Sequence, residues 1–480
     1  MRATVPSARH RDPAGRAEAG LSARERAPLA SHADYAPALD RVDPVAILAA
    51  QATERVPELV PVRHARMLVS PFTFYRGAAA IMAADLAATP HSGFPVQLCG
   101  DAHLSNFGVF GSPERRMLFD VNDFDETHPG PWEWDIKRLA ASLVVAARAN
   151  GFRRKARAEI VRAAVARYRG AMAEFAAAGE LEVWYAHADF DQLAPQLSAQ
   201  LSTAQRRKQL GKAQAKARSR NSLQAYRKLT AIQNGRRRIV ADPPLLVPVG
   251  DLLPGRDSED LAAEIRGLLS RYRRSLAPER RRLFDAFEYV DMARKVVGVG
   301  SVGTRCWIVL LRGRDDNDPL LLQVKEAQRS VLAGHVPSGL ALPHRLNEGQ
   351  RVVNGQRLMQ VASDIFLGWE RAAGSDGQTR DFYVRQLRDW KGSAVVEEMD
   401  RAGLRTYGEL CAWTLSRAHA RTGDRIAIAA YLGDEPTFDE ALVEFSERYA
   451  DQSERDYAAL QEAVRVGRLE AAGTASDEEA

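Results

Sequence analysis

The sequence predicts an α+β chain, a large helical part beside a smaller β-rich one, and three observations carry that expectation. First, Ile136, Leu139, Ala140, Leu143, Val144 and Ala147 recur at helical spacing inside "HPGPWEWDIKRLAASLVVAARANG", which closes on Asn150 and Gly151. Second, the texture changes near residue 295. There "KVVGVGSVGTRCWIVLLRGRDDNDPLLLQVKEA" is rich in glycine and β-branched residues, and Thr304, Cys306, Ile308 and Leu310 alternate with Arg305, Trp307, Val309 and Leu311. Third, the helical pattern returns from residue 405 onward. A chain of 480 residues exceeds what one small core organises, so two or three packed units are expected.

Taken in order, residues 1–40 are rich in Arg, Ala, Pro and Ser without periodicity and read as a mobile arm. Residues 41–290 read as mainly helical, with "FPVQLCG" and "RRMLFDV" as short buried strands and interruptions at Pro71 and Gly77. Within them, residues 205–238 hold twelve Lys or Arg and no acid. "ADPPLLVPV" then reads as an extended connector before a helical stretch from 258 to 291. Residues 291–370 read as a small β-rich unit, with "QRLMQVAS" as a candidate strand. Residues 371–468 read as helical and packing back on the large part, and 469–480 as an acidic tail.

Composition narrows the class. A net charge of +5, with 45% hydrophobic and 27% charged residues, is ordinary for a globular protein. Cys99, Cys306 and Cys411 are far apart in apolar segments, with neither zinc spacing nor a disulfide framework. No run of 18 apolar residues occurs, and the N-terminus lacks an apolar signal core, so a cytoplasmic protein without a membrane partner is expected.

The chemistry concentrates in "CGDAHLSNFG", residues 99–108. A turn needs a glycine and one Asn or Asp; it does not need Asp101 five positions ahead of Asn106 with His103 between them. Phosphoryl transfer does need that pair: a carboxylate to orient and deprotonate an attacking hydroxyl, and a neutral amide oxygen to ligate Mg²⁺. Asp123, in "VNDFDE", ends the next strand and supplies a second metal ligand; Asp120 sits within the strand and Asp125 a turn too late. Asp135, in the first turn of its helix, reads as a brace for the loop, and His103 as a satisfied loop histidine.

Gly298, Gly300 and Gly303 form G-x-G-x-x-G, but a strand follows rather than a helix, which excludes the dinucleotide-binding fingerprint. Such a turn, with Ser301 inside it, lets backbone N–H groups approach phosphates; on this motif alone, the plain Gly-rich turn is the reading to prefer. Lys325 lies 22 residues beyond Gly303 on an apolar strand. Its ammonium needs a phosphate, a carboxylate or an edge open to water. Glu348 in "HRLNEGQRVV" is the candidate partner, because Glu326 points to the other face.

Hairpin and lysine strand together resemble the first three strands of a protein-kinase small lobe. The run "GDAHLSNFG", "DFDE", "WDIKRLAASL" resembles aminoglycoside phosphotransferases. That resemblance implies Asp101 as catalytic acid/base, Asn106 and Asp123 as metal ligands, and Asp135 as the structural aspartate. The order is inverted, since the glycine turn and Lys325 follow the Asp101 loop by about 200 residues. Yet "ELCAWTLSRAHARTGD", residues 409–424, resembles the helix that leads into a kinase catalytic loop. The implied fold is bilobal, kinase-like and circularly permuted, the old ends being joined through residues 150–290. Within it "QRLMQVASDIFLG" would be the hinge, meeting adenine around Gln360 to Ser363. Arg385, Arg388 and Lys391 would contact phosphate or substrate, and Arg76 would be either another such contact or a structural ion pair.

Residues 60–465 also resemble the bacterial family called domain of unknown function 2252, through "SPFTFYRG", "CGDAHLSNFG", "VNDFDET", "KARSRN", "GQRLMQVASDIFLGW", "FYVRQLRDWKGS" and "LSRAHARTGD". The expected function is ATP- and Mg²⁺-dependent phosphoryl transfer to a small-molecule hydroxyl. Two alternatives stand beside it. One is a pseudokinase that binds nucleotide without turnover. The other is a nucleic-acid-binding protein using the 205–238 block, although Tyr226 is its single aromatic.

Overall fold

A computed structural model of the chain describes residues 12–194, 222–233, 235–340, 346–374, 376–387 and 390–472, together with 211, 212, 215 and 217–219. Helix accounts for 52% and strand for 16%, so the α+β expectation holds with helix dominant. Among the described residues no helix is long and apolar enough to cross a membrane.

The chain begins with a departure from expectation. Residues read as a mobile arm form helix α1 (Pro13–Arg26): Asp12 accepts the Gly15 N–H at 2.7 Å and Pro13 occupies the first helical position. Arg24 docks the helix by donating to the carbonyls of Tyr431 (2.8 Å) and Ala430 (3.0 Å). Residues 1–11 lie outside the described residues. Four short helices follow, α2 (Pro44–Ala52), α3 (Val60–Met67), α4 (Pro71–Gly77) and α5 (Ala79–Leu86). Four strands then make two antiparallel pairs: β1 (Pro95–Leu98) with β4 (His128–Pro131), and β2 (Phe107–Gly111) with β3 (Met117–Val121). Helices α6 (Trp132–Ala149) and α7 (Arg154–Ala177) follow, and β5 (Ala188–Asp189) pairs with β3.

From residue 222 the basic block forms α8 (Ser222–Leu229) and a hairpin of β6 (Thr230–Gln233) and β7 (Arg236–Ile239). Beyond it lies a six-stranded antiparallel sheet built from β8 (Leu246–Pro248), β9 (Glu288–Lys295), β10 (Cys306–Arg312), β11 (Pro319–Ala327), β12 (Gly368–Ala373) and β13 (Thr379–Gln386), in the order β12-β13-β11-β10-β9-β8. Helices α9 (Ser258–Arg273) and α10 (Pro278–Phe284) precede β9, and α11 (Glu348–Met359) crosses from β11 to β12. Period two sorts the sheet's side chains. Val309, Leu311, Leu320 and Leu322 pack on Tyr272, Leu276 and Phe284, while Ile308, Leu310 and Leu321 pack on Ala225, Tyr226 and Ile239.

The sheet therefore extends beyond 291–370 in both directions. Residues 246–284, assigned to the helical part, pack on it, and "TRDFYVRQ", assigned to a helical C-terminal part, is its strand β13. "QRLM", expected in a strand, finishes α11, because Asn347 and Gln350 form a capping box that starts the helix, and the helix runs on through Asn354 and Gly355. The chain closes with α12 (Arg401–Thr422), α13 (Arg425–Leu432) and α14 (Thr437–Arg465), which pack with α6 and α7 around Leu139, Leu143, Val161, Leu404, Leu415, Phe438 and Phe445. Each such side chain contributes about 1.5–3 kcal/mol by leaving water. The last eight residues of the acidic tail lie outside the described residues.

Candidate active site

The two strand pairs build the site. Residues 99–106 join β1 to β2 and residues 122–127 join β3 to β4, so both loops emerge side by side. The Asn122 N–H donates to the Asn106 carbonyl at 2.8 Å and locks them together. Gly100 has φ +86°, and a methyl group there would lie 2.2 Å from the Glu126 carbonyl oxygen, so glycine alone lets the loops approach. Asp135, in the first turn of α6, accepts the N–H groups of Cys99 (2.8 Å) and Gly100 (3.0 Å) and braces the first loop.

Asp101 points into the space between the loops, held by the Arg138 guanidinium at 2.9 Å. Burial pushes its carboxyl up to about 6 against the pull of Arg138. His103 lies 3.6 Å from Asp101; burial, with Arg76 and Arg138 adding, pushes its imidazole well below the ordinary range and keeps it neutral. Asn106 donates from Nδ2 to the Asp101 carbonyl at 2.7 Å, which leaves its Oδ1 free to accept or to ligate. The Asp123 carboxylate accepts the Asp125 N–H at 3.0 Å, a turn that swings Asp125 toward the sheet.

There Lys325 meets it. The ammonium donates to Asp125 at 2.8 Å and lies 3.7 Å from Asp123, although Lys325 and Asp125 are 200 residues apart. Tyr383, opposite Lys325 in the sheet register, donates its hydroxyl to the other Asp125 oxygen at 2.5 Å. Burial works against both charges, but Asp123 and Asp125 raise the lysine well above its usual value and Lys325 holds Asp125 below the carboxylate range.

The glycine turn closes the cavity. Gly298, Gly300 and Ser301 line it together with Asp101, His103, Asn106, Asp123 and Asp125, enclosing about 110 Å³. Gly298 and Gly303 have φ of +68° and +89°. The turn is pinned: Ser301 donates to Asp125 at 3.2 Å, Arg66 donates to the Gly298 carbonyl at 2.6 Å, Val56 N–H to the Gly303 carbonyl at 2.8 Å, and Arg55 to the Val302 carbonyl.

Of the expected residues, Asp101, Asn106, Asp123, Gly298, Gly300 and Ser301 share one cavity, and Lys325 reaches it through Asp125. Gly303 faces Arg55 instead. Glu348 does not meet Lys325: it pairs with Arg351 at the start of α11, while Lys325 takes the carboxylates of the 122–127 loop. Arg351 in turn donates to the carbonyls of Asp125 (2.9 Å), Thr127 (2.6 Å) and Gln328 (2.7 Å), tying α11 to that loop. The expected hinge is also displaced. Gln360 and Val361 bond to Val121 and Asp120 in the connection from α11 to β12, whereas the chain leaves the sheet after Gln386. Arg385 donates to the Asn122 carbonyl at 3.0 Å and shares a neighbouring cavity with Lys391; Arg388 lies outside the described residues. Among the described residues no three His, Cys, Asp or Glu side chains group to hold a metal; Asn106 and Asp123 offer two oxygen ligands, enough for a cation that keeps waters or phosphates as its remaining ligands.

Sequence reasoning set Asp125 aside in favour of Asp123 and missed Tyr383, Arg351, Arg55 and Arg63. For Asp125 a signal existed, since an Asx turn at Asp123 redirects the chain two residues on. No curated protein and no solved structure matches this chain. The family model described as uncharacterized protein conserved in bacteria (DUF2252) matches residues 55–463, and the chain belongs to that family.

Proposed function

We propose that the protein is an ATP- and Mg²⁺-dependent phosphotransferase acting on a hydroxyl of a small molecule, on a circularly permuted kinase-like fold. The observation that carries this reading is the contact of Lys325 with the Asp123–Asp125 loop beneath the glycine turn. A glycine-rich hairpin followed by a lysine strand, a helix and a second hairpin is the small-lobe order of kinases. The end of α12 supports the permutation: the Gln97 N–H donates to the Thr422 hydroxyl at 3.2 Å, so that helix finishes against the strand leading into the Asp101 loop.

Asp101 orients the acceptor hydroxyl and takes its proton as the oxygen attacks the terminal phosphorus. The new O–P bond forms while the bond to the bridging oxygen breaks, and ADP leaves with that electron pair. Mg²⁺ held by Asn106 and Asp123 would neutralise charge on the phosphates. A cavity of about 110 Å³ suits the phosphate end of a nucleotide, the remainder of which would extend beyond it.

The test is thermal shift with Mg-ATP and with duplex DNA. Stabilisation by Mg-ATP that disappears in Asp123→Ala supports the reading. Trace ATP hydrolysis lost in Asp101→Ala separates an enzyme from a pseudokinase. Steeply salt-dependent DNA binding without a nucleotide effect would replace the reading by nucleic-acid binding. Arg237 stacked over Tyr226 at 4.8 Å and Arg238 paired with Asp291 at 3.4 Å favour an anchoring role for the basic hairpin instead.

A further inference from the structure

One wall of the cavity carries charge that nothing in the proposed chemistry uses. Gln51, Arg55 and Arg63 reach it from α2, α3 and the turn between them, opposite the acidic loops. Arg63 is 1% exposed and Arg55 8% exposed. Arg63 spends one nitrogen on the Gln51 side chain and the Gly77 carbonyl, both at 3.0 Å; its Nε and Nη1, and the Nε of Arg55, have no hydrogen-bond partner.

Two buried guanidiniums facing one space repel each other, and each unsatisfied donor carries its own desolvation cost. Glu54, Asp125, Glu126 and Glu326 act on Arg55 from a distance, yet among the described residues no carboxylate forms an ion pair with Arg55 or Arg63. Burial pushes both guanidiniums below the ordinary arginine range, Arg55 adding to the effect on Arg63. What such a wall lacks is an anion with several acceptor oxygens, and the cavity has room for one.

We infer that Arg55 and Arg63 form an oxyanion subsite that binds a phosphate group in the same cavity as Asp101. The anion comes either from the nucleotide's own phosphates or from a phosphate already present on the acceptor. Only that question of source rests on the phosphotransferase reading; the subsite itself does not.

The experiment is thermal shift and calorimetric titration of the full chain with inorganic phosphate and pyrophosphate, without metal, against chloride at equal ionic strength. Wild type gains stability saturably. Arg63→Met loses that gain, and its pyrophosphate affinity falls about tenfold or more. Its melting temperature in anion-free buffer rises, because a buried uncompensated charge has been replaced by an apolar chain of similar length. Arg55→Gln is the independent second variant and also weakens pyrophosphate. An unchanged phosphate response in both variants, or no saturable response in wild type, overturns the subsite. Asp123→Ala keeps the metal-free response even if Mg-ATP binding fails, so the two readings fail separately. A non-hydrolysable Mg-ATP analogue then distinguishes the sources: it excludes phosphate if the nucleotide fills the subsite, and adds to phosphate if the acceptor does.

Discussion

Lys325→Met is the perturbation with the most to say. Breaking a buried ion pair by removing one partner costs about 3–5 kcal/mol, whereas an exposed pair costs about 0–1 kcal/mol. The Lys325 side chain is 4% exposed but that of Asp125 is 27% exposed, and the abandoned carboxylate keeps Tyr383 and Ser301 as donors. Those partners place the expected loss at about 2 kcal/mol. Asp125→Asn in the same chain removes the stranded charge while still accepting from Tyr383, so the double variant recovers about 1 kcal/mol of that loss. Urea unfolding of the four proteins, followed by tryptophan fluorescence, closes the cycle. Strict additivity would refute the contact, and with it the joining of the glycine turn to the acidic loop. Lys325→Met also loses the Mg-ATP stabilisation described above.

Four further outcomes are expected. The rate of phosphoryl transfer rises with pH through about 6 as Asp101 ionises, and a pH profile flat across that range would remove it as the base. The same shift has a stability sign. A carboxyl raised from 3.8 to about 6 on folding stabilises only while protonated, so stability falls as pH climbs through that interval, and Asp101→Asn flattens the fall in urea titrations. Asp120→Asn breaks a pair with Arg417 in which each side chain is 1% exposed, costing about 3–5 kcal/mol; a loss under about 1 kcal/mol in urea would contradict its structural role. Gly100→Ala combines φ +86° with a 2.2 Å approach to the Glu126 carbonyl and costs about 2 kcal/mol or more in the same assay, whereas neutrality would deny that the two loops touch there.

What was legible in the sequence was whatever local rules govern. The α6 stripe gave its helix, and period two after the glycines gave β10 and β11. Chemistry-bearing spacing drew attention to Asp101, Asn106 and Asp123, and the structure brings them together. The failures have two sources. Some local signals were outweighed: Asp12-Pro13 is a helix start that the Ala- and Arg-rich composition of the arm obscured, and the strand-forming run Phe382, Tyr383 and Val384 in "TRDFYVRQ" was masked by the charges around it. Others leave no local signal at all. Nothing near Glu348 says that Arg351 will hold it, nothing near Lys325 says that the acids of a loop 200 residues earlier will be nearer, and no pattern marks Arg55 and Arg63 as facing a cavity. Long-range packing decides those pairings.

The inverted order of the motifs is no argument against the proposed chemistry, because connectivity enters the energetics weakly. Doubling the length of a flexible connection costs about 0.6 kcal/mol of closure entropy, less than any one of the buried contacts that define the site. Arg417 grips Asp120 at 2.7 Å and the Tyr407 hydroxyl donates to the carbonyls of Leu104 and Phe107 at 3.0 Å, so the late helix α12 fixes the strands around the early loop across about 300 residues. Lys325 does the same from the sheet. Each contact depends on which side chains meet, not on the path by which the chain brings them. A site assembled this way keeps its geometry under permutation as long as the connecting segments stay on the surface; helix α8, with Arg227 and Lys228 exposed, lies on that surface and is bound to the sheet by Ala225 and Tyr226.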